Sequence, residues 1–354
     1  MMIIALDLLP VQLAGIEKDL LQDRMSALLR AHRLGCNFVV TTRETATWLL
    51  NHMILLERDK STLKRILNDV TQNGALLRGT RRLIRIDEPQ TALQVINGQE
   101  YRLPIDLYQF EDIINKPAFV IEDIQNDLGI YEFVFRNMPA PFNGFPLGYE
   151  VIHGGGQNTF TVAAAKASEG RIVCVVADAD CKSPFEMDQR RQTISETIAK
   201  SEWPFLFHFL TPCSELENLF NLEVLFHLKQ IRTSGTFATI QRIEVEERRL
   251  KLNSSESFRL YFDMKNGISE KTVERMSGAS GRSWITERLQ LAGIRSSNAS
   301  LLGFGPNIVR QVLNSNKCMA EFRRMVRSPE WQEVFGDFVI GIMWTLAAPL
   351  AQRT

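Results

Sequence analysis

The chain has 354 residues, 45% hydrophobic and 23% charged, enough to bury a sizeable core and long enough for about two domains. Lysine plus arginine equals aspartate plus glutamate at 41 each, which excludes attraction to nucleic acid through net charge and leaves local patches or a bound cation. The five cysteines, Cys36, Cys174, Cys181, Cys213 and Cys318, are odd in number and lack CxxC spacing; this excludes a zinc ribbon or a secreted disulfide framework and fits a reducing cytoplasm. The opening "MMIIALDLLP" reads as a first strand, because it lacks the basic start and small-residue cleavage site of a signal peptide. Helical spacing follows over 16–33, then a strand at "CNFVVTT", then helical spacing over 43–56 and 60–72. "RRLIRI", the Asn97-Gly98 pair in "LQVINGQEYRL" and Pro104 predict a short antiparallel ribbon, since Asn-Gly suits the positive φ values of a tight hairpin. A boundary is expected near residue 115, closing an N-terminal α/β domain over 1–115 with no assigned role.

From 117 onward the expected order is strand "AFVIE", helix 127–137, a turn rich in Pro and Gly, strand "YEVIH", helix 158–168, strand "RIVCVVAD", helix 186–200 and strand "FLFHFLT". Such alternation implies right-handed crossovers and a mostly parallel sheet flanked by helices, here a domain over 116–222. Residues 223–354 read as mainly helical, with a loop at "SGASGRS" and a turn at "GFGPNIV" before a helix beginning near Pro306. The uncharged "FVIGIMWTLAAPLA", 338–351, is shorter than the roughly 20 residues a membrane helix needs, so it is expected to pack on the core or face a partner, a second copy included.

Two of the apolar runs end in acids. "FVIEDIQND" sets Glu122, Asp123 and Asp127 against a strand, and "RIVCVVADADCKSP" does the same with Asp178 and Asp180. Ligands of open α/β sheets gather outside the carboxyl ends of the strands, so Glu122 and Asp178 are expected to face a site. In an extended backbone Asp178 and Asp180, two apart, share a face. Clustered carboxylates repel unless a cation joins them, and hard oxygen donors without His or Cys favour Mg²⁺ or Mn²⁺ over zinc.

A strand ending in Glu, a glycine-containing turn after the next strand ("HGGGQNTF", 153–160) and DxD after the third resemble the Toprim fold. The segment "LTPCSELENLF", 210–220, is similar to the acidic ExEN stretch of the overcoming-lysogenization-defect (OLD) type and stand-alone Toprim nucleases. The resemblance covers 117 to about 222 and implies metal-binding roles for Glu122, Asp178, Asp180 and Glu217, with Asp127 as second acid of the first motif. The sequence departs from the pattern there: Asp123 stands where a glycine is usual, and Asp127 lies one position later than the common spacing. Lys265, in "YFDMKNG" beside a turn expected after an apolar strand, resembles the downstream lysine of the nuclease branch. The resemblance further implies a metal-dependent nuclease acting on DNA or RNA, a role in defence against phage, and an ATPase partner; a non-catalytic interaction subunit is the alternative.

Phosphodiester hydrolysis requires a held water, neutralised phosphate oxygens and a stabilised leaving alkoxide, which divalent ions on carboxylates supply. Basic residues that would contact the phosphate backbone cluster at Arg78, Arg81, Arg82 and Arg85, at Arg190 and Arg191, at Arg248, Arg249 and Lys251, and at Arg323, Arg324 and Arg327. Asp7 and Glu44, near strand ends, suggest a further acidic site.

Overall fold

Two sheets account for most of the strand residues in the computed structural model, which describes residues 2–71, 77, 80–199, 201–276, 278–294 and 300–352. The first sheet is built from β1 (Met2–Leu6), β2 (Phe38–Thr41), β3 (Arg82–Asp87), β4 (Gln94–Ile96) and β5 (Glu100–Pro104), in the order β2-β1-β3-β5-β4. Helices α1 (Pro10–Gly15), α2 (Lys18–Arg33), α3 (Arg43–His52), α4 (Glu57–Asn68) and α5 (Phe110–Ile114) accompany it. Asn97 and Gly98 turn β4 into β5 with φ of 53° and 65°, and β4 pairs antiparallel with β5 as the dipeptide requires.

β3 does not join that ribbon in the expected sense. It runs parallel to both β1 and β5. Leu83 packs in one hydrophobic cluster and Ile84 and Ile86 in another, so both faces of β3 are covered, and a strand covered on both faces belongs in the middle of a parallel sheet.

The second sheet holds β6 (Ala118–Ile121), β7 (Glu150–His153), β8 (Val173–Ala177) and β9 (Leu206–Leu210), all parallel, in the order β7-β6-β8-β9. Every residue of β6 and β8 is buried, which makes these two the central strands. The crossovers are α6 (Ile124–Asn137), α7 (Thr159–Ser168) and α8 (Pro184–Ala199).

Beyond residue 220 the chain is mainly helical, with α9 (Gly235–Arg249), α10 (Ala279–Leu291), α11 (Asn316–Val326) and α12 (Asp337–Leu346) as its longer elements and a two-residue antiparallel pair, β10 (Gly267–Ile268) and β11 (Leu301–Leu302). Two local expectations fail here. The "SGASGRS" stretch, whose Ser277 lies outside the described residues, is largely the start of α10 rather than a loop, because Trp284, Ile285 and Leu289 downstream bury one helical face. The apolar run before Lys265 is a short helix, Phe258–Tyr261, not a strand; three buried residues, Phe258, Leu260 and Tyr261, in a stretch of four carry no period to tell the two apart.

α12 is the expected apolar tail helix, and it packs on the chain's own core. Ile342, Met343 and Leu346 join the large cluster around the second sheet, while Trp344 and Ala347 pack with Ile3, Ala5, Val40 and Leu83 of the first. Among the described residues no helix is long and apolar enough to cross a membrane. The sheets also share a core directly: Phe205 and Phe207 belong to the cluster of the first sheet, with Phe205 5.0 Å from Tyr101 between ring centroids and the Arg82 guanidinium 4.1 Å over the Phe207 ring. The boundary near 115 therefore separates the sheets in sequence while their apolar cores touch.

Candidate acidic site

Strand register positions the first two acids. Ile121 pairs with Val176, so Glu122, one residue past the end of β6, and Asp178, one past the end of β8, lie at adjacent carboxyl ends. The Asp178 amide donates to Glu122 Oε1 at 3.0 Å. Asp123 then caps α6, its carboxylate accepting the Gln125 amide at 2.8 Å, while Asp127 Oδ2 accepts the Asp123 amide at 3.0 Å. That reciprocal cap turns Asp127 back toward the helix N-terminus and the end of β6.

The third contribution comes from the turn after β9. Glu217 lies in a 3₁₀ turn, Leu216–Leu219, and is 4% exposed. Asn218 fixes this turn: its Oδ1 accepts the Glu215 amide at 2.9 Å, and its Nδ2 donates to the Arg259 carbonyl at 2.6 Å and the Phe262 carbonyl at 2.9 Å. These bonds stitch the acidic turn to the segment carrying Lys265. Lys265 Nζ stands 3.0 Å from Glu217 Oε1 and 3.9 Å from Glu215 Oε2. Its backbone is held by Asp263, whose Oδ1 accepts the amides of Lys265 at 3.1 Å and Asn266 at 2.7 Å, and Asp263 is itself paired with Lys182 at 3.3 Å.

Burial and mutual repulsion perturb the group together. Burial pushes Asp178 well above the ordinary carboxylate range, and Glu122, Glu217 and Asp127 push further. Asp127 rises to about 7, chiefly by burial, with Glu217, Asp123 and Glu122 adding to it against the Asp123 amide. Glu215 likewise rises to about 7 through burial, opposed by Lys265. Burial works to lower Lys265, but Glu217 and Glu215 carry it above the usual lysine value.

Of the acids expected from sequence, Glu122, Asp127, Asp178 and Glu217 converge, and Lys265 stands among them. Asp180 does not share a face with Asp178. β8 ends at Ala177, and Asp180 has a φ of 55°, with its amide donating to the Ser214 carbonyl at 2.8 Å, so the extended backbone that alternation requires is absent and Asp180 is exposed. Asp263 and Lys182 were missed, and Glu215 and Asn218, which stand inside the ExEN stretch, were given no role of their own. Asp263 lies two before Lys265, but the roles of all four depend on contacts between segments about forty or more residues apart.

The glycine turn supports the end of β6. The amides of Gly154 and Gly155 donate to the carbonyls of Ile121 at 2.7 Å and Glu122 at 3.2 Å, and a Cβ on Gly154 would collide with Thr159 Oγ1 and lie 2.9 Å from the Ile121 carbonyl oxygen. Elsewhere, Asp7 forms an ion pair with Arg85, which also binds Glu100 at 2.9 Å, so Asp7 serves an internal bridge. Arg248, Arg249 and Arg324 pair with neighbouring glutamates. Arg78 and the side chain of Arg190 lie outside the described residues.

Among the described residues no group of three or more His, Cys, Asp and Glu side chains is arranged to hold a metal ion. Glu122 and Asp178 still offer a two-carboxylate edge, and Mg²⁺ commonly binds through one or two carboxylates while keeping waters and taking substrate phosphate oxygens. The donor set is all hard oxygen, and the second carboxylate oxygen of Glu217 is buried with no hydrogen-bond partner. On that chemistry the residues fit Mg²⁺ or Mn²⁺. No family model, curated protein or solved structure matches this chain.

Proposed function

We propose that the chain is a Toprim-type, divalent-metal-dependent nuclease that hydrolyses phosphodiester bonds of DNA or RNA at the edge formed by Glu122 and Asp178. The observation that carries this reading is the convergence of four buried or half-buried carboxylates at the carboxyl ends of parallel strands, beside a single paired lysine. Glu122 and Asp178 would hold Mg²⁺ or Mn²⁺, with Asp127 and Glu217 behind them; when bound, the ion supplies charge neutralisation and an activated water. Lys265 brings positive charge to the side of the site where a phosphate oxygen gains charge. The resemblance to OLD-like enzymes extends the proposal to a cytoplasmic effector of phage defence working with a partner ATPase, because the sequence has no nucleotide motif of its own.

The test uses purified full chain with supercoiled DNA, single-stranded DNA, total RNA and tRNA, with and without Mg²⁺ or Mn²⁺. Cleavage that requires the ion and is lost in folded Asp178→Ala and Glu122→Ala supports the reading; cleavage at the wild-type rate by both folded variants overturns it.

Two observations favour a second reading, a non-catalytic interaction subunit: Asp180 is turned out, and Lys265 already neutralises part of the acidic group. The two readings separate by melting. An ion that binds only the folded chain raises the unfolding temperature by mass action. A rise in millimolar Mn²⁺ for wild type but not for Asp178→Asn favours the enzyme, even if cleavage awaits a partner; identical melting of both favours the scaffold.

A further inference from the structure

We infer that the acidic site takes one divalent cation per chain, and that the ammonium of Lys265 fills the place a second cation would occupy. This rests on the nuclease reading of the same site. The acids divide into two groups. Among the described residues neither Asp127 nor Asp178 forms an ion pair, so these two carboxyl groups beside Glu122 are open to a cation. On the other side, Glu217 and Glu215 share Lys265 at 3.0 and 3.9 Å, and each keeps one buried oxygen without a hydrogen bond. A two-ion site needs carboxylates that bridge ions about 4 Å apart. Asp180, the acid best placed in sequence to complete such a bridge beside Asp178, points from a residue with φ of 55° and is exposed.

Lys265 is built into this position. Asp263 fixes its amide, and its carbonyl accepts the Gly305 amide at 3.1 Å. A Cβ on Gly303 would collide with the Lys265 carbonyl, so the β11 end lies directly against the lysine backbone. The side chain is held between two glutamates by a fixed loop, whereas an incidental surface lysine would be solvated. As a permanent point charge it offers what a second ion offers to a phosphate oxygen, without requiring that ion to be recruited.

The experiment is a Mn²⁺ titration of the full chain, with free Mn²⁺ followed by electron paramagnetic resonance and folding followed by circular dichroism. Wild type should bind one ion per chain, Lys265→Arg one, and Lys265→Met two, because the methionine releases Glu217 and Glu215 as ligands while filling the same space. Asp178→Asn should abolish the single site. Two ions in wild type would overturn the inference and leave the metal reading standing; none would overturn the metal reading itself. One ion in a folded Lys265→Met would remove the lysine from the role. Should Lys265→Met not fold, Lys265→Gln provides the same comparison, and the wild-type count still decides.

Discussion

His32 lies near the end of α2 beneath the first sheet, its Nδ1 accepting the Val39 amide at 3.1 Å. Burial, helped by the nearby positive charge of Arg65, pushes it down from 6.5 to about 4. The unfolded chain therefore binds a proton at His32 that the folded chain refuses between those values. Its contribution is fully present above pH 6.5 and is lost as pH falls toward about 4. Thermal melts of wild type should lose stability over that window, and His32→Asn, which keeps an acceptor near the Val39 amide without titrating, should flatten the loss; an unchanged pH profile in the variant would show that His32 does not carry it. A residue-scale prediction of opposite character concerns Asp178. Its carboxylate is repelled by Glu122, Glu217 and Asp127, so Asp178→Asn should leave the metal-free protein as stable as wild type or more so at neutral pH, measured as the melting temperature in chelator. A clear drop would mean that the acid is a structural hydrogen bonder first.

At the scale of elements, the N-terminus of α6 is where fold and site meet. Asp123 caps the helix through the Gln125 amide, and Asp127 reaches back to the Asp123 amide, so the cap also aims an acid of the site. Asp123→Ala should cost about 1 kcal/mol in denaturant unfolding, and a loss of stability with no change in metal affinity would show that the cap and the site are independent. The sheet that carries this helix was legible in sequence because β6 and β8 are continuous apolar runs, which read as buried strands whatever their period, and the acids that follow them read as strand ends. The rest depended on contacts that are not local. The course of the chain after Asp178 is set by the bond from the Asp180 amide to Ser214, in a different loop, so alternation failed there. The parts played by Glu215 and Asp263 depend on Asn218 binding the carbonyls of Arg259 and Phe262. Serine and glycine at the start of α10 signalled a loop, and the burial of Trp284, Ile285 and Leu289 overrode them.

For the whole molecule the deciding feature is that α12 touches both sheets. Trp344 meets Phe142 and Phe145 edge-on at 5.5 and 5.6 Å and packs with Ile3, Ala5, Val40 and Leu83, while Ile342, Met343 and Leu346 on the same helix bury against the second sheet. Arg82 of β3 donates to Thr345 and lies over Phe207, and the chain beyond the helix returns to the end of α2 through the Gln352 amide on the Arg33 carbonyl at 2.8 Å. Together with Phe205 and Phe207 in the core of the first sheet, these contacts give neither sheet a complete apolar covering of its own. Unfolding should therefore be one cooperative transition, followed alike by tryptophan fluorescence and far-ultraviolet circular dichroism. Trp344→Ala, which empties a buried indole site, should cost about 3–5 kcal/mol and shift both probes together. Truncation after Gly336 should expose apolar surface on both sheets and give aggregated protein. Two separate transitions, or a Trp344→Ala variant in which one probe moves and the other stays, would show that the sheets fold as independent domains; a soluble and stable truncation would show that α12 covers neither.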